Sequence, residues 1–486
     1  LLYDVLVKFL NFARGTHIPS NLGSFPMKAI SNINTTSENQ VLIIGSCCLD
    51  RILRVSKFPE QDAKIRTCES YEVGGGCAAN TAHGMALLLS SSSPLLSSVS
   101  LLWVPVLWTS TIGDDSIGQK LLTELESNGV RVVLSRVKHG WATTPVTTII
   151  VSEQEGTRTC IFTPSIEMTS TNELKCDWVN NSIMDPERRL IHDNYDEHVL
   201  RYMESTCHLH TDGRYTPLSS LIFAAKLVRS RGISFSIDPE KDRFSIDQDH
   251  LLELSSLLFL NSYQMESYFK RRTVEMEEKF GKMSLPKATV EHNLKSNSFA
   301  KIIRQSIRPM EFFLRWFGEM QVFKTVVITK GSFGSLYVRV LSHTSKDSDS
   351  IPSQQIIIHE RELDLFSVES TINDGFVLHQ NIFQVQTCGI LRNSKVYDTT
   401  GAGDAFIAGY LSFMLTQSHQ ENSPRLALQF ASWVAGQKLK GPGARTSLPT
   451  LSQVKEELGS SLCSISKNLD KLVGPFCYFG DESRED

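Results

Sequence analysis

The chain has 486 residues, 41% of them hydrophobic and 21% charged, the proportions of a globular protein, which excludes wholesale disorder. A formal net charge of -4 leaves no basic surplus for general binding to nucleic acid or to an anionic membrane. Ten cysteines are scattered without a C-x-x-C pair, which argues against a disulfide scaffold or zinc module and suits a reducing compartment.

Residues 1–40 read as an N-terminal extension. Its apolar opening is broken by Asp4 and Lys8 and is too short for a spanning helix or a secretory core. No acidic residue stands between Val5 and Ser37, which fits a transit-like leader as well as a disordered one. The expected compartment is the cytoplasm, or a plastid or other organelle stroma if the leader is a transit peptide. A first buried strand follows at residues 41–45. Between Glu72 and Asp114 there is no formal charge. Its longest run without a polar residue, 101–108, falls far short of the roughly 18 residues that span a membrane. The stretch reads as a buried helix, a Ser-rich joint and a buried strand. Helical spacing resumes at Ile117 and again over 218–228, with Arg231-Gly232 as a stop. Residues 143–162 read as an antiparallel hairpin turning at Glu155-Gly156-Thr157. Short apolar runs at 233–238, 257–261 and 326–329 read as further strands. Strands alternating with helices predict an α/β fold with a mainly parallel central sheet, and the hairpin predicts a small β lid. Residues 270–301, 342–353 and 372–394 read as inserts, and 459–486 as a C-terminal tail.

The sharpest motif is Asp398-Thr-Thr-Gly401-Ala402-Gly403-Asp404, followed by Phe406, Ile407, Tyr410, Phe413 and Met414 at helical spacing. A glycine turn feeding a helix N-terminus is an anion site, through free N–H groups and the positive end of the dipole. A carboxylate at its mouth is expected where a proton must be removed beside a phosphate; the plainer alternative is an N-cap. Phe406 occupies the place where a dinucleotide fingerprint needs a third small residue. No P-loop, protein-kinase loop, H-E-x-x-H or G-x-S-x-G is present. A second motif, Gly74-Gly75-Gly76-Cys77-Ala78-Ala79-Asn80, lets backbone approach a ligand, and Asn80 can donate to and accept from a hydroxyl. Taken alone it also fits a strand-to-helix turn capped by Asn80. Asp50 stands shortly after the first strand, where open α/β sheets bind ligands, although a surface turn residue fits too.

In this order the three motifs resemble the phosphofructokinase B (PfkB) family of ribokinase-like sugar kinases. Weaker echoes are Gly113-Asp-Asp-Ser-Ile-Gly118, Thr329-Lys-Gly-Ser-Phe-Gly334 and Gly441-Pro-Gly-Ala-Arg-Thr-Ser-Leu-Pro449. The resemblance implies a ribokinase-like three-layer α/β/α domain over residues 41–458, with lid segments near 58–73 and 143–162. It implies ATP and Mg²⁺ as cofactors and a small sugar of ketohexose or ribose type as substrate. No nucleic-acid or membrane partner is expected, and a homodimer is the assembly in view. Asp404 would be the base, and the amides of Gly401, Ala402 and Gly403 the anion hole. Asp50, Gly75 and Asn80 would bind the sugar, and Thr329, Gly331, Gly334 and Asn261 the nucleotide. Where the family often carries N-x-x-E beside the metal, this chain reads Asn261-Ser-Tyr-Gln264. The charge that holds Mg²⁺ through water is lost there unless Glu266 supplies it. A nucleoside kinase, and a weak or silent member acting as a binding or regulatory subunit, are the alternative readings.

Overall fold

All six residues of the first strand, Asn39–Ile44 (β1), are buried, as a strand must be when helices cover both faces of its sheet. The computed structural model describes residues 39–474, apart from 90–102, 110–111, 135–142, 155–157, 165–166, 169–173, 176–204, 215–217, 240–250, 266, 268–287, 291–324, 346–354, 363–364, 372–376, 393–395 and 417–422.

After β1 come β2 (Cys48–Val55), β3 (Glu69–Gly75), α1 (Cys77–Leu89), β4 (Trp103–Thr109), α2 (Ser116–Ser127), β5 (Arg131–Leu134), β6 (Val146–Ser152) and β7 (Arg158–Thr163). The middle of the chain holds β8 (Glu167–Met168), β9 (Leu174–Lys175), β10 (Thr206–Thr211), α3 (Leu218–Ser230), β11 (Ser234–Ile237), β12 (Leu257–Asn261), β13 (Ala288–Val290) and β14 (Thr325–Thr329). Then follow β15 (Ser335–Ser345), β16 (Gln355–Glu362), β17 (Leu365–Thr371), β18 (Val377–Cys388), α4 (Ala402–Thr416), α5 (Pro424–Lys438), α6 (Leu451–Leu458) and α7 (Leu462–Leu472).

The large sheet runs β13-β16-β17-β18-β15-β14-β12-β11-β10-β1-β4-β5. From β14 to β5 every pairing is parallel, while β15 and β18 add antiparallel. Alternation along β1 feeds two opposite cores. Val41 and Ile43 pack in the cluster that holds Phe406, Phe413, Phe430 and Trp433; Leu42 and Ile44 join Leu209, Leu221, Val228 and Phe235. The result is a three-layer α/β/α body. A separate four-stranded sheet, β3-β2-β6-β7, is the lid, and β6 with β7 is the expected hairpin. No helix among the described residues is long and apolar enough to cross a membrane.

Four expectations change. Asp50 lies within β2 of the lid sheet and is buried, so it is not a surface turn residue. Of residues 58–73, only those from Glu69 onward are strand. The stretch 372–394 contains β18, which pairs antiparallel with β15 and β17; likewise 342–345 finish β15. Residues beyond 458 are no tail: α7 buries Ile465 and Leu469 completely and packs in the same core as α5. The insert at 270–301 lies outside the described residues except for β13, as do the extension up to residue 38 and the final residues from 475.

Candidate active site

The C-terminal signature folds as a turn held from three sides. The Asp398 carboxylate accepts from the amides of Thr400 at 2.8 Å and Gly443 at 2.7 Å. Lys438, fully buried at the end of α5, donates from Nζ to the Asp398 carbonyl at 2.7 Å. Burial alone would raise the Asp398 carboxyl, but these amides and the Lys438 charge outweigh it and hold it below the usual range. Gly401 has φ +74, and a Cβ there would meet that of Ala444 at 2.5 Å, so the turn needs glycine on both counts. The helix that follows, α4, is apolar on all sides and sits in the core.

Asp404 falls in the first turn of α4 and is only 7% exposed. It is not the N-cap, because the helix already begins at Ala402. Burial pushes its carboxyl above the ordinary range; bonds from Asn80 and Cys77 and the charge of Arg214 oppose this, while Asp212 adds to it. Asn80, on α1, donates from Nδ2 to Asp404 Oδ2 at 2.8 Å. It too lies inside its helix rather than at the cap. The second motif therefore brings its amide directly onto the carboxylate of the first.

Asp50 faces the same region from the lid. A Cβ on Gly75 would stand on the Asp50 carboxylate, so the bare backbone of β3 is what lets the side chain in. Burial pushes the Asp50 carboxyl up to about 6, against the Arg445 charge and a Cys48 bond, with Asp404 adding to the rise. Asp50, Gly75, Asn80 and Asp404 are thus together. Of the three amides expected to form an anion hole, that of Ala402 donates to Thr399 O at 3.3 Å, while a Cβ on Gly403 would meet nothing within 4 Å. Space lies open beside that backbone.

The lid rests on the segment before the turn. Arg158 of β7 donates from Nη1 to Thr399 Oγ1. The Arg54 guanidinium lies 4.7 Å from the Tyr397 ring centroid, and Tyr397 donates from its hydroxyl to Glu69 Oε2 at 3.0 Å.

Farther along the sheet, Asn261 and Thr329 end the adjacent strands β12 and β14 and are partners in register. Gly331, φ +56, has open space where a Cβ would be. Gly334 has another reason to be glycine: a Cβ there would strike the Cys388 carbonyl. Gln264 is spent on local structure. Its Oε1 accepts the Asn261 amide at 2.5 Å while its own amide donates to Asn261 Oδ1 at 2.8 Å, a reciprocal capping box. Its Nε2 reaches Asp238 Oδ1 at 3.2 Å and Pro239 O at 2.5 Å. Glu266 lies outside the described residues.

Several residues here escaped the sequence reading. Arg445 is 4% exposed and bonds Asn80 and the Gly75 carbonyl. Asp238 is pushed up to about 7 by burial, with Arg214 opposing and Asp404 adding. Asp212 accepts from Ser46 and Ala78 amides at 3.0 and 3.1 Å, tying the β1–β2 turn to the start of α1. Each stands just past a strand or inside a quoted motif, but a lone Asp or Arg there carries no pattern of its own.

The pfkB family carbohydrate kinase pattern matches residues 38–227 and 374–451, more than half of the chain. The chain belongs to the pfkB family. As a pfkB carbohydrate kinase it is an enzyme, a phosphotransferase acting on an alcohol group. Both family signatures fall within the matched segments, and the unmatched interval between them runs from the end of α3 through β17. Solved structures agree on the fold. Ribokinase from Giardia lamblia is 18% identical with a TM-score of 0.52, covering 86% of this chain and 98% of its own. Ribokinase from Cryptococcus neoformans var. grubii serotype A, in complex with ADP, is 17% identical with a TM-score of 0.52, covering 87% and 100%. Arabidopsis thaliana ribokinase complexed with ribose and ATP is 17% identical with a TM-score of 0.50, covering 89% and 99%. No curated protein matches the chain.

Proposed function

We propose that this pfkB kinase transfers the γ-phosphoryl group of ATP to a hydroxyl of a small sugar of ketohexose or ribose type. Asp404 takes the hydroxyl proton, the freed oxygen attacks phosphorus, and the bond from phosphorus to the ADP oxygen breaks. The observation that carries this reading is a buried carboxylate in the first turn of α4, 2.8 Å from Asn80 Nδ2, beside a glycine turn with open space. Backbone amides of Gly401–Gly403 and the helix dipole would meet the charge on the transferred group. Asp50 would grip sugar hydroxyls, with Gly75 and Asn80 completing the pocket beneath the lid. Asn261, Thr329 and Gly331 would line the nucleotide site, whose use by ATP is supported by the ligands named for the Arabidopsis and Cryptococcus ribokinases.

Mg²⁺ fits this chain as an ion carried largely by phosphate and water. Such an ion needs only one or two carboxylates beside substrate phosphates, and no group of three or more potential ligands stands ready among the described residues. Among the described residues of this segment, Asp238, bonded to Gln264, is the carboxylate that would hold it. When bound, the ion would neutralise phosphate charge.

The test is ADP release by purified protein with Mg·ATP across a panel of sugars and nucleosides. Turnover with a ketohexose or pentose and none with nucleosides is expected. Turnover confined to nucleosides would replace the sugar by a nucleoside, and none with any acceptor would favour the silent binding member.

A further inference from the structure

The geometry points to Arg445 as a positioning residue for Asp404, acting through the side-chain amide of Asn80. This rests on the reading of Asp404 as the base. Arg445 donates from Nε to Asn80 Oδ1 at 2.8 Å, and Asn80 donates from Nδ2 to Asp404 Oδ2 at 2.8 Å. All three side chains are buried, at 4%, 4% and 7% exposure.

The chemistry of the three groups allows one arrangement. A guanidinium has donors only, and an ionised carboxylate has acceptors only. An amide between them must turn its oxygen to Arg445 and its NH₂ to Asp404. Without Arg445, the reverse orientation would set an oxygen against the carboxylate, and nothing in the Asn80 torsions forbids it, since the end of an amide side chain is a broad, nearly two-fold rotor.

Arg445 is itself fixed. Its Nη2 donates to the Gly75 carbonyl at 2.7 Å, and its Nη1 lies 3.4 Å from Glu124 Oε1 on α2. Gly74 makes the passage: a Cβ there would collide with Arg445 Nη1 and stand 2.6 Å from Glu124 Oε2. The glycines of the second motif thus divide their work, Gly74 admitting Arg445 and Gly75 admitting Asp50. A line of groups runs from Glu124 through Arg445 and Asn80 to the base. The Asn80 bond holds the Asp404 carboxyl down against the stronger upward push of burial. The other groups acting on or responding to Asp404 are Cys77 on α1, Arg214 and Asp212 after β10, Asp238 after β11, Asp50 on β2 and Lys438 on α5.

The experiment compares Arg445→Met, Arg445→Lys, Asn80→Ala and the Arg445→Met/Asn80→Ala double variant, with Asp404→Asn as control. Turnover is followed with D-fructose and with D-ribose as acceptors and Mg·ATP. In parallel, NMR follows the Asn80 side-chain NH₂ signal, identified by its loss in Asn80→Ala, as pH is varied without substrate. Arg445→Met is expected to lower kcat by up to about 10²-fold, the scale of a misplaced catalytic group, while KM for ATP stays the same. The acid limb of the pH profile should move to higher pH. Arg445→Lys should recover part of the rate, since an ammonium can still donate to Asn80. In the Asn80→Ala background Arg445→Met should add little; a full additional loss there would mean that Arg445 acts by its charge or by folding alone, and the inference would fall. An unmoved acid limb, or an Asn80 NH₂ signal whose pH response is unchanged by Arg445→Met, would overturn it equally. If Arg445→Met does not fold, Arg445→Lys and Glu124→Gln carry the comparison, with smaller shifts in the same direction. Should Asp404→Asn keep its turnover, the base assignment fails, whereas loss of the pH response of the Asn80 signal in Asp404→Asn still tests the line of bonds by itself.

Discussion

The carboxylate of Asp50 occupies the volume that a side chain on Gly75 would need. The two are diagonal neighbours on the antiparallel pair β2 and β3, where Gly75 pairs with Cys48 and Asp50 with Val73, and the glycine is what allows an acid to stand inside the lid. Gly75→Ala should therefore displace Asp50 without touching the nucleotide side. A buried hydroxyl contact left unmade costs about 1–3 kcal/mol, so KM for the sugar should rise roughly tenfold or more, with KM for ATP unchanged. Equal weakening of both substrates, in initial-rate kinetics, would place Asp50 outside the sugar pocket.

Asp404→Asn should lower turnover by about 10²–10⁴-fold and at the same time raise thermal stability. Burial lifts the Asp404 pKa above its unfolded value, so the folded state binds protons that the unfolded state has released. Stability from such a group is greatest at low pH and is lost as pH rises through the folded-state pKa. An amide removes that loss. Differential scanning calorimetry at neutral pH gives the sign directly, and a fall in melting temperature would mean that the carboxylate is a net structural contact.

Asp50 follows the same rule over a window that can be named. Its pKa rises from 3.8 to about 6, so the stability lost to its ionisation accrues between roughly pH 4 and 6. In urea denaturation, the advantage of Asp50→Asn over the parent should grow across that window and then level off, at about 1–3 kcal/mol. An advantage independent of pH would show that Asp50 does not titrate there.

Gln264→Glu would place a second acid against Asp238 and the Pro239 carbonyl, where the Gln264 Nε2 now donates. In metal-free buffer the melting temperature should fall. Mg²⁺ should restore it, and the Mg²⁺ concentration for half-maximal activity should drop below that of the parent, because two carboxylates hold a hydrated cation better than one. If Mg²⁺ restores nothing, the metal does not sit beside this segment.

Ending the chain after residue 458 should destabilise the kinase body, although this region reads as a tail. α7 buries Ile465 and Leu469 at 0% exposure, and losing two large buried side chains costs about 2–5 kcal/mol each. The milder Ile465→Ala tests the same contact. A truncated protein with an unchanged melting temperature would return α7 to the status of a tail.

The sequence alone determined the family, the α/β alternation and the glycine turn that opens α4. Those features are local: an unbroken apolar run such as Asn39–Ile44, a glycine turn such as Gly401–Gly403, and Asp404 at the start of a helix all leave their mark on neighbouring positions. The hairpin β6–β7 was legible for the same reason. Tertiary structure decided what each of these residues touches. Asp50 belongs to the lid because β2 pairs with β3 and β6, and no periodicity distinguishes that from a loop. Gln264 closes a capping box and meets Asp238, so its departure from the family pattern is a question of partners rather than of one missing charge. Arg445 meets Asn80 across 365 positions of chain; a single arginine has no period, and only the fold brings its Nε to the oxygen of the amide that bonds Asp404.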